Sequence, residues 1–136
     1  MLSEPQIQRY SRQILLREVG GAGQARLLGS AVRIPRLTTG GRACALWLAR
    51  AGVGTLVFAD DPAPSPAIDA AGLLWAGDAG RPLGEAVRDR LRFHEPNLVF
   101  AEGEARLEAA PADSPAEGAL AALAVVRQIL LELPQP

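Results

Sequence analysis

The feature that most constrains the fold is an alternation of strand-like and helical segments between residues 31 and 60. Residues 31–35 are a short strand candidate in which Val32 and Ile34 are apolar. Residues 42–51 carry apolar side chains at helical spacing, and Gly52 follows as a residue suited to end a helix. Residues 55–59 are again apolar and of strand length. Strand, helix and strand within about thirty residues predict a βαβ unit, which requires parallel strands.

Composition excludes several classes of function. The formal net charge is -1, which argues against a nucleic-acid-binding protein because that affinity rests on clustered positive charge. All 14 basic residues are Arg, so no lysine is available for catalysis or phosphate binding. The single cysteine, Cys44, excludes an intrachain disulfide framework and a four-cysteine zinc site. No apolar run is long enough to span a membrane, and we expect a cytoplasmic protein.

The 136 residues fit a single domain. We predict N-terminal helices within residues 1–30, a βαβ core over 31–101 with a third strand at its end, an Ala/Glu/Pro-rich linker over 102–115, and a C-terminal helix over 116–133. The fold class is therefore α/β, with about three parallel strands and helices on both sides of the sheet.

Four blocks in order resemble the ThiF/MoeB/HesA superfamily, the ubiquitin-activating-enzyme-like adenylating proteins. The first covers residues 9–16, and the second is the Gly-Gln-Ala-Arg-Leu-Leu run at residues 23–28. The third is the Ala-Gly-Val-Gly-Thr-Leu run that ends at Asp60, and the fourth begins at Gly80-Arg81-Pro82. The resemblance implies a truncated Rossmann-like three-layer domain, with a short, mostly parallel sheet and two N-terminal helices.

Members of this family adenylate the C-terminal carboxylate of a ubiquitin-like or sulfur-carrier protein. They use ATP and magnesium, and they typically work as dimers. A glycine-rich loop after the first strand lets backbone amides approach the phosphates. The first two glycine positions of that loop fall on Arg36 and Thr38 here, and only the third, Gly41, remains. Two side chains would therefore occupy space that the phosphates need.

The resemblance also implies that two cationic groups are lost. The family's asparagine and arginine fall on Ala67 and Ala70, and its lysine falls on Leu83. In the family, the arginine and the lysine neutralise phosphate charge as it develops. The family segment that carries the metal-binding aspartate and the active cysteine has no counterpart, and the predicted linker stands in its place. We therefore expect neither ATP nor magnesium as a cofactor.

Two family positions are kept. Arg12 matches an arginine that reaches into the partner's nucleotide site in family dimers, and Asp60 matches the acid that binds the ribose hydroxyls. Each has a plainer interpretation. Asp60 can end a strand in solvent, and Arg12 can form a surface ion pair on a helix.

The leading interpretation is a non-catalytic, adenylating-enzyme-like protein that acts as a dimerisation, scaffold or regulatory partner. One alternative is a nucleotide-binding subunit that activates a carrier protein, with a site completed by a partner chain. Another is a small-ligand-binding module. The missing family strand would expose the edge of the first strand, and we predict a homodimer, or a heterodimer with a full-length family member. The predicted interface residues are Tyr10, Ile14, Leu123 and Val126.

Overall fold

A computed structural model describes residues 20–132. Residues 1–19 of the predicted N-terminal helical region lie outside this range, and they include Tyr10, Arg12 and Ile14. The elements, in chain order, are α1 (Gly20–Leu28), β1 (Ala31–Arg33), α2 (Thr39–Ala51), β2 (Thr55–Val57), a short 3-10 helix (Ala76–Asp78), α3 (Leu83–His94), β3 (Val99–Ala101), β4 (Leu107–Glu108) and α4 (Pro115–Leu131).

The four strands form one parallel sheet in the order β3-β2-β1-β4. Val32 of β1 pairs with Leu56 of β2, and Leu56 pairs with Phe100 of β3. The helices α2 and α3 connect β1 to β2 and β2 to β3, as the βαβ pattern predicts. The predicted α/β class with a Rossmann-like parallel sheet is confirmed.

The strand β4 lies inside the segment that we predicted to be a linker. It pairs with β1 through Val32 and Leu107 and through Arg33 and Glu108. The sheet therefore has four strands instead of three, and the predicted exposure of the β1 edge is wrong because β4 covers that edge. A two-residue strand in an Ala/Glu/Pro-rich segment has no periodic pattern of its own, and its pairing with β1 defines it.

The hydrophobic core lies on one face of the sheet. Val32, Leu56 and Leu107 are buried in a cross-strand row that also contains Phe100, and they pack with side chains of all four helices. The opposite row is more open within residues 20–132, and Val99 in it is 54% exposed. The described residues supply one helical layer and leave the second face of the sheet partly uncovered. Parallel sheets are normally covered on both faces.

Local capping explains where the long helices begin and end. Thr38 is the N-cap of α2, so this helix begins three residues earlier than the apolar spacing predicted. It ends at Gly52, which has a φ of 103° and adopts the left-handed conformation that a glycine cap allows. Ser114 and Glu117 form a capping box at the start of α4. None of the helices within residues 20–132 is both long and apolar enough to cross a membrane.

The helices α2 and α4 approach each other closely at two glycines. A Cβ atom on Gly118 would collide with the carbonyl oxygen of Gly40 and lie 3.0 Å from the side chain of Ala43. A Cβ atom on Gly40 would in turn collide with the backbone of Ala112, which precedes α4. The first turn of α2 is therefore packed directly against backbone on two sides.

An ionic cluster around Asp78 fixes the long loop between β2 and α3. The Asp78 carboxylate is 1% exposed and accepts hydrogen bonds from Arg90 at 2.7 and 2.9 Å, from Arg81 at 2.8 Å and from the Trp75 amide at 2.9 Å. The Arg90 guanidinium also stacks on the Trp75 ring at 3.7 Å. The hydrogen bonds from Arg90 hold the pKa of Asp78 well below its ordinary value of 3.8, although burial acts in the opposite direction.

We expect the substitution Asp78→Asn to lower the free energy of unfolding at neutral pH by about 1–3 kcal/mol, because it leaves the partly exposed guanidinium groups of Arg81 and Arg90 without the buried carboxylate that they share. The folded-state pKa of Asp78 is lowered, so its contribution is complete above the unfolded-state pKa of about 3.9 and is lost as the pH falls below it. The difference between the parent and the variant should shrink in that acidic range. Urea unfolding at several pH values measures it.

The matched control is Asp89→Asn, which removes a half-exposed partner of Arg81. Exposed ion pairs contribute about 0–1 kcal/mol, so this variant should unfold close to the parent. Equal destabilisation by the two substitutions would show that burial of Asp78 does not hold the loop in place.

Candidate functional site at the switch point of the sheet

The order in which successive strands are added to the sheet reverses at β1. The chain runs from β1 to β2 and β3 on one side, and β4 lies on the other side. In open α/β sheets, ligands bind in the crevice at the carboxyl ends of the strands where the order reverses. Here that crevice lies between residues 34–38, which follow β1, and residues 109–113, which follow β4.

The crevice is closed by the chain itself. Residues 109–113, which we call the strap, pass over the N-terminus of α2 and bury Ala109 and Ala112. The Thr38 hydroxyl donates a hydrogen bond to the Ala112 carbonyl, and the Ala109 amide donates to the Arg33 carbonyl at 2.9 Å. The cavity left between the strap and the loop after β1 is about 110 Å³. Sites for drug-sized ligands typically measure about 300–1,000 Å³.

Two of the three positions of the predicted phosphate loop, Thr38 and Gly41, have structural roles. Thr38 accepts a hydrogen bond from the Gly41 amide at 3.0 Å, so its hydroxyl both caps α2 and binds the strap. A Cβ atom on Gly41 would collide with the Arg36 carbonyl, so the turn itself requires the glycine that the chain retains. The Arg36 side chain is exposed and lines the neighbouring cavity.

Cys44 lies beneath the strap in the second turn of α2. It is 1% exposed and lines the small cavity under the strap together with Ala109 and Ala112. Burial raises the pKa of the Cys44 thiol to about 12. The closed structure therefore keeps this thiol protonated and unreactive at neutral pH.

Asp60 lies where the sequence places it, three residues after the end of β2. Its carboxylate is mostly exposed and lies 3.4 Å from the Arg88 guanidinium, and its amide donates to Glu102 at 3.0 Å. It lines an open cavity of about 280 Å³ with Arg36 and Thr38. A second cavity of about 330 Å³ lies on its other side, beside Phe58, Arg88 and Phe100.

The other positions at which we predict a lost family residue lie in the loop after β2 and at the start of α3. Ala67 and Ala70 are exposed loop residues, and Leu83 is buried in the hydrophobic core. Between the two alanines, Asp69 turns inward and pairs with Arg42 of α2 at 2.9 Å. Burial raises the pKa of Asp69, but hydrogen bonds from the Leu74 amide, from Arg42 and from the Ala71 amide together lower it.

Sequence reasoning missed Arg42, a buried cation in the first turn of α2. It also donates to the Leu37 carbonyl at 2.9 Å, so it holds the loop after β1 as well as Asp69. Its charge is therefore committed to a buried ion pair. The two partners are 27 residues apart, and neither lies in a pattern that would have pointed to the other. Among residues 20–132, no group of three or more His, Cys, Asp or Glu side chains could hold a metal ion.

Two of the four predicted interface residues are in the described range. Leu123, which is 57% exposed, and the half-buried Val126 line an apolar groove of about 300 Å³ between α2 and α4. Trp47, which is 52% exposed, forms the opposite wall of the groove. The groove lies on the helical layer, away from the carboxyl ends of the strands.

Comparison with known proteins identifies the family. The sulfur carrier protein ThiS adenylyltransferase of Escherichia coli is 37% identical over 107 residues, which are 78% of this chain and 43% of that protein. The SAMP-activating enzyme E1 of Haloferax volcanii is 33% identical over 108 residues, which are 79% of this chain and 40% of that protein. The chain is homologous to the ThiF/MoeB-type adenylyltransferases. It spans about two fifths of the length of these relatives, and no protein-family model matches it.

Solved structures of ThiF-like proteins have the same fold. Escherichia coli MccB superposes with a TM-score of 0.66 at 20% identity, covering 84% of this chain and 37% of MccB. The Escherichia coli tRNA N6-threonylcarbamoyladenosine dehydratase TcdA superposes with a TM-score of 0.61 at 18% identity, covering 94% of this chain and 59% of TcdA. The predicted superfamily and the partial Rossmann-like fold are thus confirmed.

Proposed function

We propose that this ThiF/MoeB homologue is a non-catalytic partner protein that supplies a dimerisation or scaffold surface instead of an adenylation site. The observation that carries the proposal is the closed switch-point crevice, in which the Ala112 carbonyl occupies the approach to the first turn of α2. A carbonyl oxygen carries partial negative charge, so it competes for the place where phosphate oxygens would bind.

The electrostatics of the described residues support the same proposal. Leu83 is a buried neutral side chain where the family has a lysine, and the cation of Arg42 is neutralised by Asp69. Adenylyl transfer depends on cations and metal ions that stabilise the charge developing on the phosphates. The chain lacks those groups at the positions that the resemblance assigns to them.

One observation favours the alternative of a nucleotide-binding subunit completed by another chain. Asp60 remains at the end of β2 with an exposed carboxylate, and an open cavity lies beside it. A ribose could reach this carboxylate without displacing the strap. In that alternative, the partner would bring the missing cations and metal ligands, and the carrier protein would be of the ubiquitin-like or sulfur-carrier type that the relatives' names indicate.

We propose that the apolar groove between α2 and α4 is the surface through which this chain dimerises. The molecule that docks there is a second copy of the chain. Trp47, Leu123 and Val126 offer an aromatic anchor and aliphatic walls, which are typical of the centre of a protein interface. The N-terminal segment of the same chain carries a predicted apolar face with Tyr10 and Ile14. Both halves of an apolar contact are therefore present in one sequence, as a self-complementary dimer requires.

The purified chain should not catalyse ATP–pyrophosphate exchange, either alone or with the carrier protein ThiS as a probe. Loss of one well-placed electrostatic donor typically lowers a rate by about two to three orders of magnitude, and several are lost here. Isotope exchange with labelled pyrophosphate measures this, and the Escherichia coli ThiS adenylyltransferase serves as the positive control. Exchange above a no-protein control that disappears in an Asp60→Asn variant would contradict the proposal and support the nucleotide-binding alternative.

The chain should sediment as a dimer at micromolar concentration, and Leu123→Asp should convert it to a monomer because it places a charge in the groove. The control is Ile68→Asp, which makes the same kind of change at an 89% exposed loop residue outside the groove and should leave the dimer intact. Circular dichroism checks that both variants are folded. A monomeric parent chain would rule out the homodimer, whereas a dimer unaffected by Leu123→Asp would place the interface elsewhere.

A further inference from the structure

The strap lies between a short edge strand and the start of α4. One end follows β4, an edge strand of only two residues, and the other end meets the capping box of α4 at Ser114. Three of its five residues, Ala110, Pro111 and Asp113, are exposed. Segments with short strands and few buried side chains open with free energies well below that of global unfolding.

Thr38 links this segment to the loop after β1. Its hydroxyl donates a hydrogen bond to the Ala112 carbonyl and accepts one from the Gly41 amide. The first bond joins two chain segments that are 74 residues apart, whereas the second is local to α2. The two bonds can therefore be separated by substitution, because only the first requires a proton donor at position 38.

We propose that the strap is a latch over the switch-point crevice, and that the hydrogen bond from Thr38 to Ala112 controls how often it opens without unfolding of the domain. Opening uncovers the first turn of α2 and the side chain of Cys44. Any ligand of the crevice must bind this open state, so its apparent affinity is reduced by the open fraction. The latch does not depend on the proposed function, because a catalytically active chain would also have to open it.

Cys44 is the only cysteine of the chain and lies under the strap, so its reaction with a thiol reagent reports opening. The labelling rate of the full chain with Ellman's reagent is measured at urea concentrations below the unfolding transition. Local opening exposes little surface, so the rate should depend only weakly on urea.

The comparison protein is the double variant Cys44→Ala/Ala49→Cys. It moves the single thiol to a fully buried position of the same helix that lies outside the strap cavity. Its labelling should follow the steep urea dependence of global unfolding, because opening of the strap does not uncover position 49.

Two substitutions at position 38 test the hydrogen bond. Thr38→Ser keeps both the donor and the cap, and it should label like the parent. Thr38→Asp keeps a good helix cap, but its carboxylate cannot donate a hydrogen bond to the Ala112 carbonyl. Loss of one buried hydrogen bond should raise the Cys44 labelling rate at low urea by about five- to tenfold, with the same weak urea dependence.

The outcomes separate cleanly. Weak urea dependence in the parent together with faster labelling of Thr38→Asp supports the latch. If the parent and the comparison protein are labelled with the same steep urea dependence, the strap opens only when the domain unfolds, and the proposal is wrong. If Thr38→Asp and Thr38→Ser are labelled equally fast, the strap opens but the bond from Thr38 does not control it, which also overturns the proposal. None of these labelling results changes the expectation for ATP–pyrophosphate exchange, so failure of the latch and failure of the proposed function can be told apart.

Discussion

The structure depends on a close contact between backbones at the N-terminus of α2. Gly40 brings the first turn of this helix against the strap, and Gly118 brings α4 against the same turn. Thr38 adds a hydrogen bond from the loop after β1 to the strap. In the closed structure this contact sets the positions of the strap and of α4 relative to the βαβ unit, and it leaves little room at the switch point of the sheet.

Under the proposed function, several residues near the switch point hold the structure together instead of binding a nucleotide. Gly41 is required by the approach of the Arg36 carbonyl, so its presence follows from the geometry of the turn. Arg42 is a cation at the start of α2, but Asp69 and the Leu37 carbonyl occupy its donors. Asp60 keeps an exposed carboxylate at the carboxyl edge, and its neighbour Arg88 forms an ion pair with it.

Local sequence patterns predicted the parts of the fold that have local causes. The βαβ unit has a periodic helix, a glycine stop at Gly52 and two apolar strands, and all of them were found within a few residues of the predicted bounds. The strand β4 and the strap could not be predicted in this way, because β4 is defined by its pairing with β1 and the strap by Thr38. The pair of Arg42 and Asp69 likewise depends on a tertiary contact that neither local segment encodes.

Under the proposed function, the strap excludes phosphate groups from the switch-point crevice. This exclusion can be tested by titrating the isotope-labelled chain with magnesium and ATP and following the backbone amide resonances of residues 38–42 and of Asp60. We expect no saturable change at residues 38–42 up to millimolar ATP, because the strap covers the first turn of α2. Saturable shifts at these amides at micromolar ATP would contradict it.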